Sequence, residues 1–528
     1  MGTEPTPGED ETARPELAEL RERRALLADE ARPEAVEKRH ATGRRTAREN
    51  LADLVDPDSF VEYGGFAIAA QRARREVREL LERTPADGLI AGTARINGEQ
   101  FGDRAACAVL SYDYMVLAGT QGVFGHRKKD RLFELIERMR LPTVLFAEGG
   151  GGRPGDTDYP VVSALDTRAF ALWARISGLA PRIAIVAGRC FAGNAVLAGS
   201  ADLIVATEDI ALGMGGPAMV AGGGLGEFAP EEIGPISVQS PNGVVDARVA
   251  DEATAVDVTK RLLAYFQGPL DRWEDPDPAQ IREVVPESRR RAYDVHKAID
   301  ALVDVGSATY LRDEFARGMV TALARIEGRP IGIVANNPMQ LAGAITSDGS
   351  DKAARFMQLC DAYGIPLLSL IDTPGMMVGP DAEATALVRH CSRLFNTGAN
   401  LTVPLVAVIL RKAYGLGAQA MAGGGLHDPL LTVGWPTAEL GAMGLEGAVR
   451  LGLRRELEAI ADPDEREQRV REVTEHAHEH AKALNAATIF ELDDVIDPVD
   501  SRRLIAATLT AAGASPRPDA PRRPVDTW

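Results

Sequence analysis

Apolar residues in this chain fall into short runs separated by amphipathic stretches, and the alternation occurs twice. From Asp87, "DGLIAGTARINGEQFGDRAACAVLSYDY" holds β-rich runs broken by turn glycines. "KKDRLFELIERMR" (Lys128–Arg140) has the 3.6-residue spacing of a helix, and "LPTVLFAE" (Leu141–Glu148) and "RIAIVA" (Arg182–Ala187) read as strands. After Arg329 the cycle restarts: "RPIGIVANNPMQ" is a strand and turn, "SDKAARFMQLCDAYG" a helix, "IPLLSLID" a strand, "TPGMM" a turn and "EATALVRHCSRLFNTGAN" a helix. "LTVPLVAVILRKAYGLGAQAM" then gives strand, turn and helix. This order predicts parallel β-α units in an α/β protein. The same succession in both halves predicts duplication of a whole domain, with a period too long for a solenoid.

The pattern breaks over "GPLDRWEDPDPAQIREVVPESRRRAYDVH", rich in proline and charge. The expected organisation is a flexible tail over 1–20, a first domain over 21–267, a linker over 268–296, a second domain over 297–515 and a tail over 516–528. A chain of 528 residues exceeds one ordinary core, which fits two domains.

Composition narrows the function classes. With 45% hydrophobic, 26% charged and 5% aromatic residues and 52 glycines, the chain reads as a compact α/β protein rich in tight turns. Its formal charge of -18 opposes a general nucleic-acid or anionic-membrane surface. No apolar run approaches the roughly 20 residues of a membrane span, and the acidic N-terminus is unlike a signal peptide. Four cysteines (Cys107, Cys190, Cys360, Cys391) lie far apart without a CxxC pair, so a zinc ribbon or disulfide framework is unsupported and a reducing, cytoplasmic setting is expected. His476 and His480 in "EHAHEH" lie four apart, but without a third ligand they read as a solvated helix face, and no metal is expected.

Four glycine turns carry the chemistry. They are "EGGGGRPGD" (Glu148–Asp156) and "RCFAGNA" (Arg189–Ala195) in the first half, and "DTPGMMVGPD" (Asp372–Asp381) and "RKAYGLGA" (Arg411–Ala418) in the second. A glycine turn between strand and helix bares backbone N–H groups at the positive end of the helix dipole, which favours an anion. Neither "RCFAGNA" nor "RKAYGLGA" has the GxxxxGK[ST] form of a phosphate loop or a GxGxxG with a later ribose-binding acid. An enolate or tetrahedral oxygen held by paired N–H groups is the remaining common client. "HRKKDR" (His126–Arg131) precedes the first duplicated helix and offers Arg127, Lys128 and Lys129 as phosphate contacts.

Four stretches, "RRTARENLADLVDPDSFVEYGGFA", "GIVANNPMQLAGAITSDGSDKAARFMQLCDAYGIPLLSLIDTPGMMVGPDAE", "LVAVILRKAYGLGAQAM" and "WPTAELGAMGLEGAV", give the chain a resemblance to the carboxyltransferase (β) subunits of biotin-dependent acyl-CoA carboxylases. The resemblance runs from about residue 20 to 515 and is strongest after Arg329. It implies two duplicated crotonase-like domains of the ClpP/crotonase ββα spiral. It further implies an acyl-CoA on the first, carboxybiotin carried by a partner protein on the second, and an active site where opposed domains of two subunits meet. The acyl-CoA carbonyl oxygen falls by this resemblance to the N–H groups of Gly193 and Asn194, with Gly150 and Gly151 lining the pocket. The biotin ureido oxygen falls to those of Leu416 and Gly417, with Gly375, Tyr414, Gly415 and Gln419 in the same substrate-binding region. Biotin carboxylase and biotin carrier subunits are the implied partners, and a homo-oligomer, a hexamer built as a trimer of dimers, the implied assembly.

Three departures from the family pattern stand out. Asn194 replaces a usual glycine, "EGGGGRPGDTD" replaces "DSGGAR", and Gln419 stands where acetyl- and propionyl-specific relatives carry aspartate. A route in which the biotin itself accepts the α-proton needs no protein base, so the lack of a His or Glu dyad is consistent with it. Three alternatives stay open: a biotin-dependent acyl-CoA decarboxylase component, a crotonase-type hydratase or isomerase using Glu148, and a scaffold subunit with decayed sites.

Overall fold

The computed structural model describes residues 14–159, 163, 165–289, 291–513 and 523–528. It divides into two compact units. The first comprises the chain through Ile176 with Arg182–Ser237 and Arg248–Lys260, the second Ser177–Pro181, Val238–Ala247 and Arg261–Trp528. Among the described residues, no helix is long and apolar enough to cross a membrane.

The first nine strands are β1 (Val61–Glu62), β2 (Leu89–Arg95), β3 (Ala106–Tyr112), β4 (Thr143–Phe146), β5 (Arg182–Val186), β6 (Arg189–Phe191), β7 (Leu203–Thr207), β8 (Ala211–Gly213) and β9 (Ala247–Val249). Their main sheet runs β1-β2-β3-β4-β5-β7-β9, antiparallel through β3 and parallel from β3 to β7, while β6 pairs with β8 alone. Every residue of β4, β5 and β7 is buried, the signature of parallel strands covered on both faces. The helix Val123–Met139 leads into β4 and buries Leu132, Phe133, Leu135 and Ile136 at helical spacing. Trp173, on the helix Ala169–Arg175, packs its ring 5.1 Å from that of Phe133 and donates its indole N–H to Leu197 O at 2.9 Å.

The second unit repeats this plan. Its strands are β10 (Thr309–Leu311), β11 (Met319–Ile326), β12 (Arg329–Asn336), β13 (Leu367–Thr373), β14 (Leu405–Tyr414), β15 (Leu431–Gly434), β16 (Glu439–Gly441) and β17 (Asp494–Val495). The order is β10-β11-β12-β13-β14-β15-β17, with an antiparallel hairpin followed by parallel pairs. β14 runs unbroken, its start between β13 and β15 and its last three residues on β16. In the first unit the same path is interrupted at Ala187–Gly188, so it appears as β5 and then β6 on β8. The duplication read from the sequence is thus present strand by strand.

Each unit also anchors a strained turn with a lysine. Lys128 donates its Nζ to Ala86 O at 3.0 Å and to Leu89 O, and Lys352, on the helix Ser347–Ala362, donates to Arg312 O and Phe315 O at 2.8 Å each. The turns they hold contain Ala86 and Asp87 (φ 53° and 51°) and Arg312 and Ala316 (φ 53° and 45°), conformations unfavourable to L-residues.

Three expectations about connecting segments need correction. The stretch 268–296 is no free linker, since Ile281, Val285, Tyr293 and Val295 are buried in the core that also holds Ile331, Leu368 and Val406. Its prolines and charges form an irregular coat around these anchors. In the N-terminal tail, residues 1–13 lie outside the described residues, and a helix Pro15–Ala25 begins with proline at its first position and Glu16 in its first turn. In the C-terminal tail, residues 514–522 lie outside the described residues. Val525 beyond them is buried, and its N–H donates to Ser177 Oγ at 2.9 Å.

Candidate functional site

Two strand-to-helix turns meet inside the first unit. The one after β4 is tied to β6 by Gly149 N–H donating to Arg189 O at 2.6 Å and Phe191 N–H donating to Gly149 O at 2.9 Å. At Ala192 the chain takes φ 50° and ψ -121°, a conformation costing on the order of 1–3 kcal/mol and typical of constrained functional turns. Gly213 O holds the Ala192 N–H at 3.2 Å. The helix Gly193–Gly199 starts at once, so the N–H groups of Gly193 and Asn194 are its first two and have no intrahelical acceptor. A Cβ on Gly151 would lie 3.0 Å from that of Ala192. The Gly150–Gly151 turn is therefore brought against the residue that precedes Gly193 and Asn194.

Side chains the sequence reading did not select hold this cluster. Gln121 N–H donates to Gly151 O at 2.9 Å, and its Nε2 donates to Asn194 Oδ1 at 2.6 Å. Asn194 Nδ2 donates to Glu148 O at 2.7 Å and Gly119 O at 3.2 Å. Arg153 fixes the far end of its turn on Asp87 and, through Nη2, on Thr120 O at 2.8 Å. Gln121 was legible in one respect: it lies two residues before a duplicated helix, where the second half has Ile345, so comparing the halves exposes an amide with no counterpart.

The second unit builds the equivalent turn differently. Gly415 takes the place of Ala192, with φ 56°, and the helix Gly415–Met421 follows, so Leu416 and Gly417 match Gly193 and Asn194. A Cβ on Gly417 would lie 2.7 Å from the backbone of Gly375, so the two turns touch directly. Leu416 and Gln419 are exposed and, with Gly415, Leu426, Leu445, His480 and Ile489, line a groove of about 1090 Å³.

Several candidates sit elsewhere than expected. Gly375 is buried, its N–H donates to Thr373 Oγ1 at 3.1 Å and its O accepts from Ile345 N–H at 3.0 Å, and it gives space to Gly417. Tyr414 is also buried; its hydroxyl donates to Glu439 Oε2 at 3.0 Å, and burial raises its pKa. Lys128 and Lys129 do not form a phosphate patch with Arg127. Successive helical residues point about 100° apart, and Arg127 alone is exposed, its guanidinium over the rings of Phe124 and Tyr159 at 5.4 and 5.1 Å. Lys128 is committed to its two carbonyls, and burial lowers its pKa to about 8. Lys129 is 1% exposed and donates to Gln121 Oε1 at 2.9 Å; burial lowers its pKa to about 7.

Glu148, at the head of the first turn, has both carboxylate oxygens bonded by Arg39, at 2.8 and 2.7 Å. Burial raises its pKa against the pull of Arg39. Both of its oxygens are thus committed to a buried ion pair with Arg39. In the second unit Asp372 holds the corresponding place, paired with Arg411 Nε at 3.0 Å.

The carboxyl transferase domain model matches residues 38–524. The chain is 31% identical over 514 residues to the methylmalonyl-CoA carboxyltransferase 12S subunit of Propionibacterium freudenreichii subsp. shermanii, covering 93% of each chain. It is 31% identical over 524 residues to the biotin-dependent long chain acyl-coenzyme A carboxylase beta4 subunit of Mycobacterium tuberculosis, covering 94% of each. Among solved structures, a single-chain, multi-domain long-chain acyl-CoA carboxylase is 57% identical with a TM-score of 0.90 over 94% of this chain, which spans 49% of that longer protein. A hexameric transcarboxylase 12S structure with methylmalonyl-CoA bound matches at 30% identity and a TM-score of 0.83, over 97% of this chain and 98% of that one.

Proposed function

The chain belongs to the carboxyl transferase domain family, carboxyltransferases that move a carboxyl group between biotin and an acyl-CoA, and we propose how its two units divide that reaction. The first unit, through the N–H groups of Gly193 and Asn194, holds the acyl-CoA thioester oxygen as the α-carbon loses its proton and negative charge moves onto that oxygen. The second unit, through Leu416 and Gly417, holds the ureido oxygen of a biotin carried by a partner protein. Biotin supplies the carboxyl group. The supporting observation is the pair of equivalent turns, each a positive-φ residue followed by two helix-initial N–H groups. Donors aimed at a developing oxyanion are among the strongest contributions a protein makes to such chemistry. The groove beside Leu416 is lined largely by apolar residues, among them Ala413, Ala418, Leu440, Leu445 and Ile489, which suits an uncharged ring system.

A crotonase-type hydratase needs a free acid beside the oxyanion turn, and Glu148 is occupied by Arg39. Biotin carboxylase and biotin carrier subunits are the proposed partners, and a reducing, cytoplasmic setting is proposed from four buried cysteines that form no disulfide. The proposed acceptor is longer than acetyl-CoA. Gln419 puts a neutral amide on the groove where a carboxylate would raise the desolvation cost of an apolar chain, and the 57% identical relative is described as a long-chain enzyme. Each additional buried methylene contributes up to about 0.8 kcal/mol, roughly fourfold. The test is kcat/KM for acetyl-, propionyl-, butyryl- and palmitoyl-CoA in wild type and Gln419→Asp. Rising values with chain length, lost in the variant, are expected. A strict preference for acetyl-CoA unchanged by Gln419→Asp refutes the assignment of the acceptor.

A further inference from the structure

Gln121 is 5% exposed, and its groups join both turns of the first unit at once. Its N–H donates to Gly151 O at 2.9 Å and its carbonyl accepts from Arg153 N–H at 3.1 Å, which fixes it to the 148–156 turn. Its side chain reaches the other turn through Asn194 Oδ1 at 2.6 Å. The orientation of both amides follows from Lys129, which can only donate. Because Lys129 Nζ is 2.9 Å from Oε1, Nε2 faces Asn194, and Asn194 Nδ2 must then face the carbonyls of Glu148 and Gly119. The lysine ammonium also lies 5.7 Å from the ring centroid of Tyr112 and 6.0 Å from that of Phe170.

The second unit lacks this arrangement. Ile345 makes the same backbone bonds, donating to Gly375 O at 3.0 Å and accepting from Met377 N–H at 2.9 Å, but its side chain is apolar. Ala353 stands where the first unit has Lys129, and Gly417 where it has Asn194. There the turns close by backbone contact, and no side chain sets their separation. In the first unit a side chain at 194 occupies that space and is held by a chain of oriented amides.

We propose that Gln121 is a positioning residue that sets the Gly193–Asn194 donors against the Gly150–Gly151 turn, with Lys129 as the buried anchor of its carboxamide. The proposal rests on the reading that these donors receive the acyl-CoA oxygen. It follows from how steeply oxyanion stabilisation depends on donor placement. Loss of the amide frees the Asn194 side chain to turn and lets the two turns drift, while the contacts that bind the rest of the CoA are untouched.

The experiment uses the full chain with a carboxylated biotin carrier and propionyl-CoA. It compares wild type, Gln121→Ile, and a triple variant Gln121→Ile, Lys129→Met, Asn194→Gly that rebuilds the turn in the manner of the second unit. The single variant is expected to lower kcat by about 10- to 100-fold with KM for propionyl-CoA within about threefold. Its acyl-CoA-independent discharge of the carboxylated carrier is expected to stay at the wild-type rate. The triple variant, which leaves no buried amide or lysine unpaired, is expected to regain about tenfold or more of the lost kcat. A folded single variant with wild-type kcat overturns the proposal. So does a folded triple variant with no recovery, and if the single variant fails to fold, the triple is compared with wild type, a kcat within about tenfold supporting the proposal and a lower one overturning it. A parallel fall in carrier discharge refutes the underlying assignment of the first turn to the acyl-CoA.

Discussion

Gly417 has no side chain because there is nowhere to put one: a Cβ there would lie 2.7 Å from both the Cα and the carbonyl carbon of Gly375. Gly417→Ala must push two backbones apart, and backbone cannot yield as the end of a long side chain can. We expect carboxyl transfer to fall by about 10²-fold, comparable to losing one oxyanion donor, with acyl-CoA binding measured by calorimetry unchanged. Loss of both together would contradict the division of labour between the units. At this scale the turns Arg189–Ala195 and Arg411–Ala418 could be found from glycines that follow a strand, while Gly193, Asn194, Leu416 and Gly417 were singled out by the resemblance to the carboxyltransferase family. The sequence misled where a side chain had a choice of direction. "RKK" at 127–129 is one basic patch in the sequence, but in a helix it becomes an exposed arginine, a lysine capping two carbonyls and a lysine buried under Gln121. Nothing in the local sequence distinguishes those three fates.

Elements were legible in proportion to their length. The helices Val123–Met139 and Ser347–Ala362 and the strands β4, β5, β13 and β14 follow from hydrophobic period. The three-residue strands β6, β8 and β16 do not, because three residues carry no period, yet β8 and β16 flank the functional turns. The segment 268–296 was misread for a related reason: four buried apolar residues are hidden among many prolines and charges. A further element-scale feature, the lysine clasp, leads to a prediction. Lys128→Met and Lys352→Met each remove the donor from two carbonyls, and a buried acceptor left unpaired costs about 1–3 kcal/mol. Amide hydrogen exchange should speed up around Gly88–Leu89 in the first variant and around Arg312–Phe315 in the second. Because the clasps lie in separate units and share no partner, the double variant should show both changes at the magnitudes of the singles. Spread of either change into the other unit would mean that the clasps are coupled.

For the whole molecule, the proposed reaction requires a first unit and a second unit to meet, within one chain or between copies. Co-expression offers a direct test. Gly193→Val places a side chain within 2.8 Å of Gln121 Nε2, and Gly417→Ala closes the other turn, so each alone should be nearly inactive. If sites are shared between two copies, mixed dimers contain one doubly altered site and one intact site, and co-expressed chains should regain about a quarter of wild-type activity. No recovery from a demonstrated mixed dimer would place the whole reaction within one chain. The duplication itself was legible in the sequence, because the order of strands, turns and helices repeats; that the two copies close their turns by different means was not, because it depends on what lies across a gap. That difference bears on how such an enzyme can evolve. A gap closed by glycine on glycine admits no graded change, since every substitution is too large. A gap gauged by an asparagine and a glutamine can be widened or narrowed one side chain at a time, with the backbone left in place. The biotin is the same molecule in every such reaction, while the acyl-CoAs named for the relatives run from methylmalonyl-CoA to long-chain acyl-coenzyme A. In the proposed division, the turn that meets the constant biotin has no adjustable part and the turn that meets the variable acyl-CoA's oxygen carries the adjustment, so the acyl-CoA donors can shift while the carrier-side turn stays fixed.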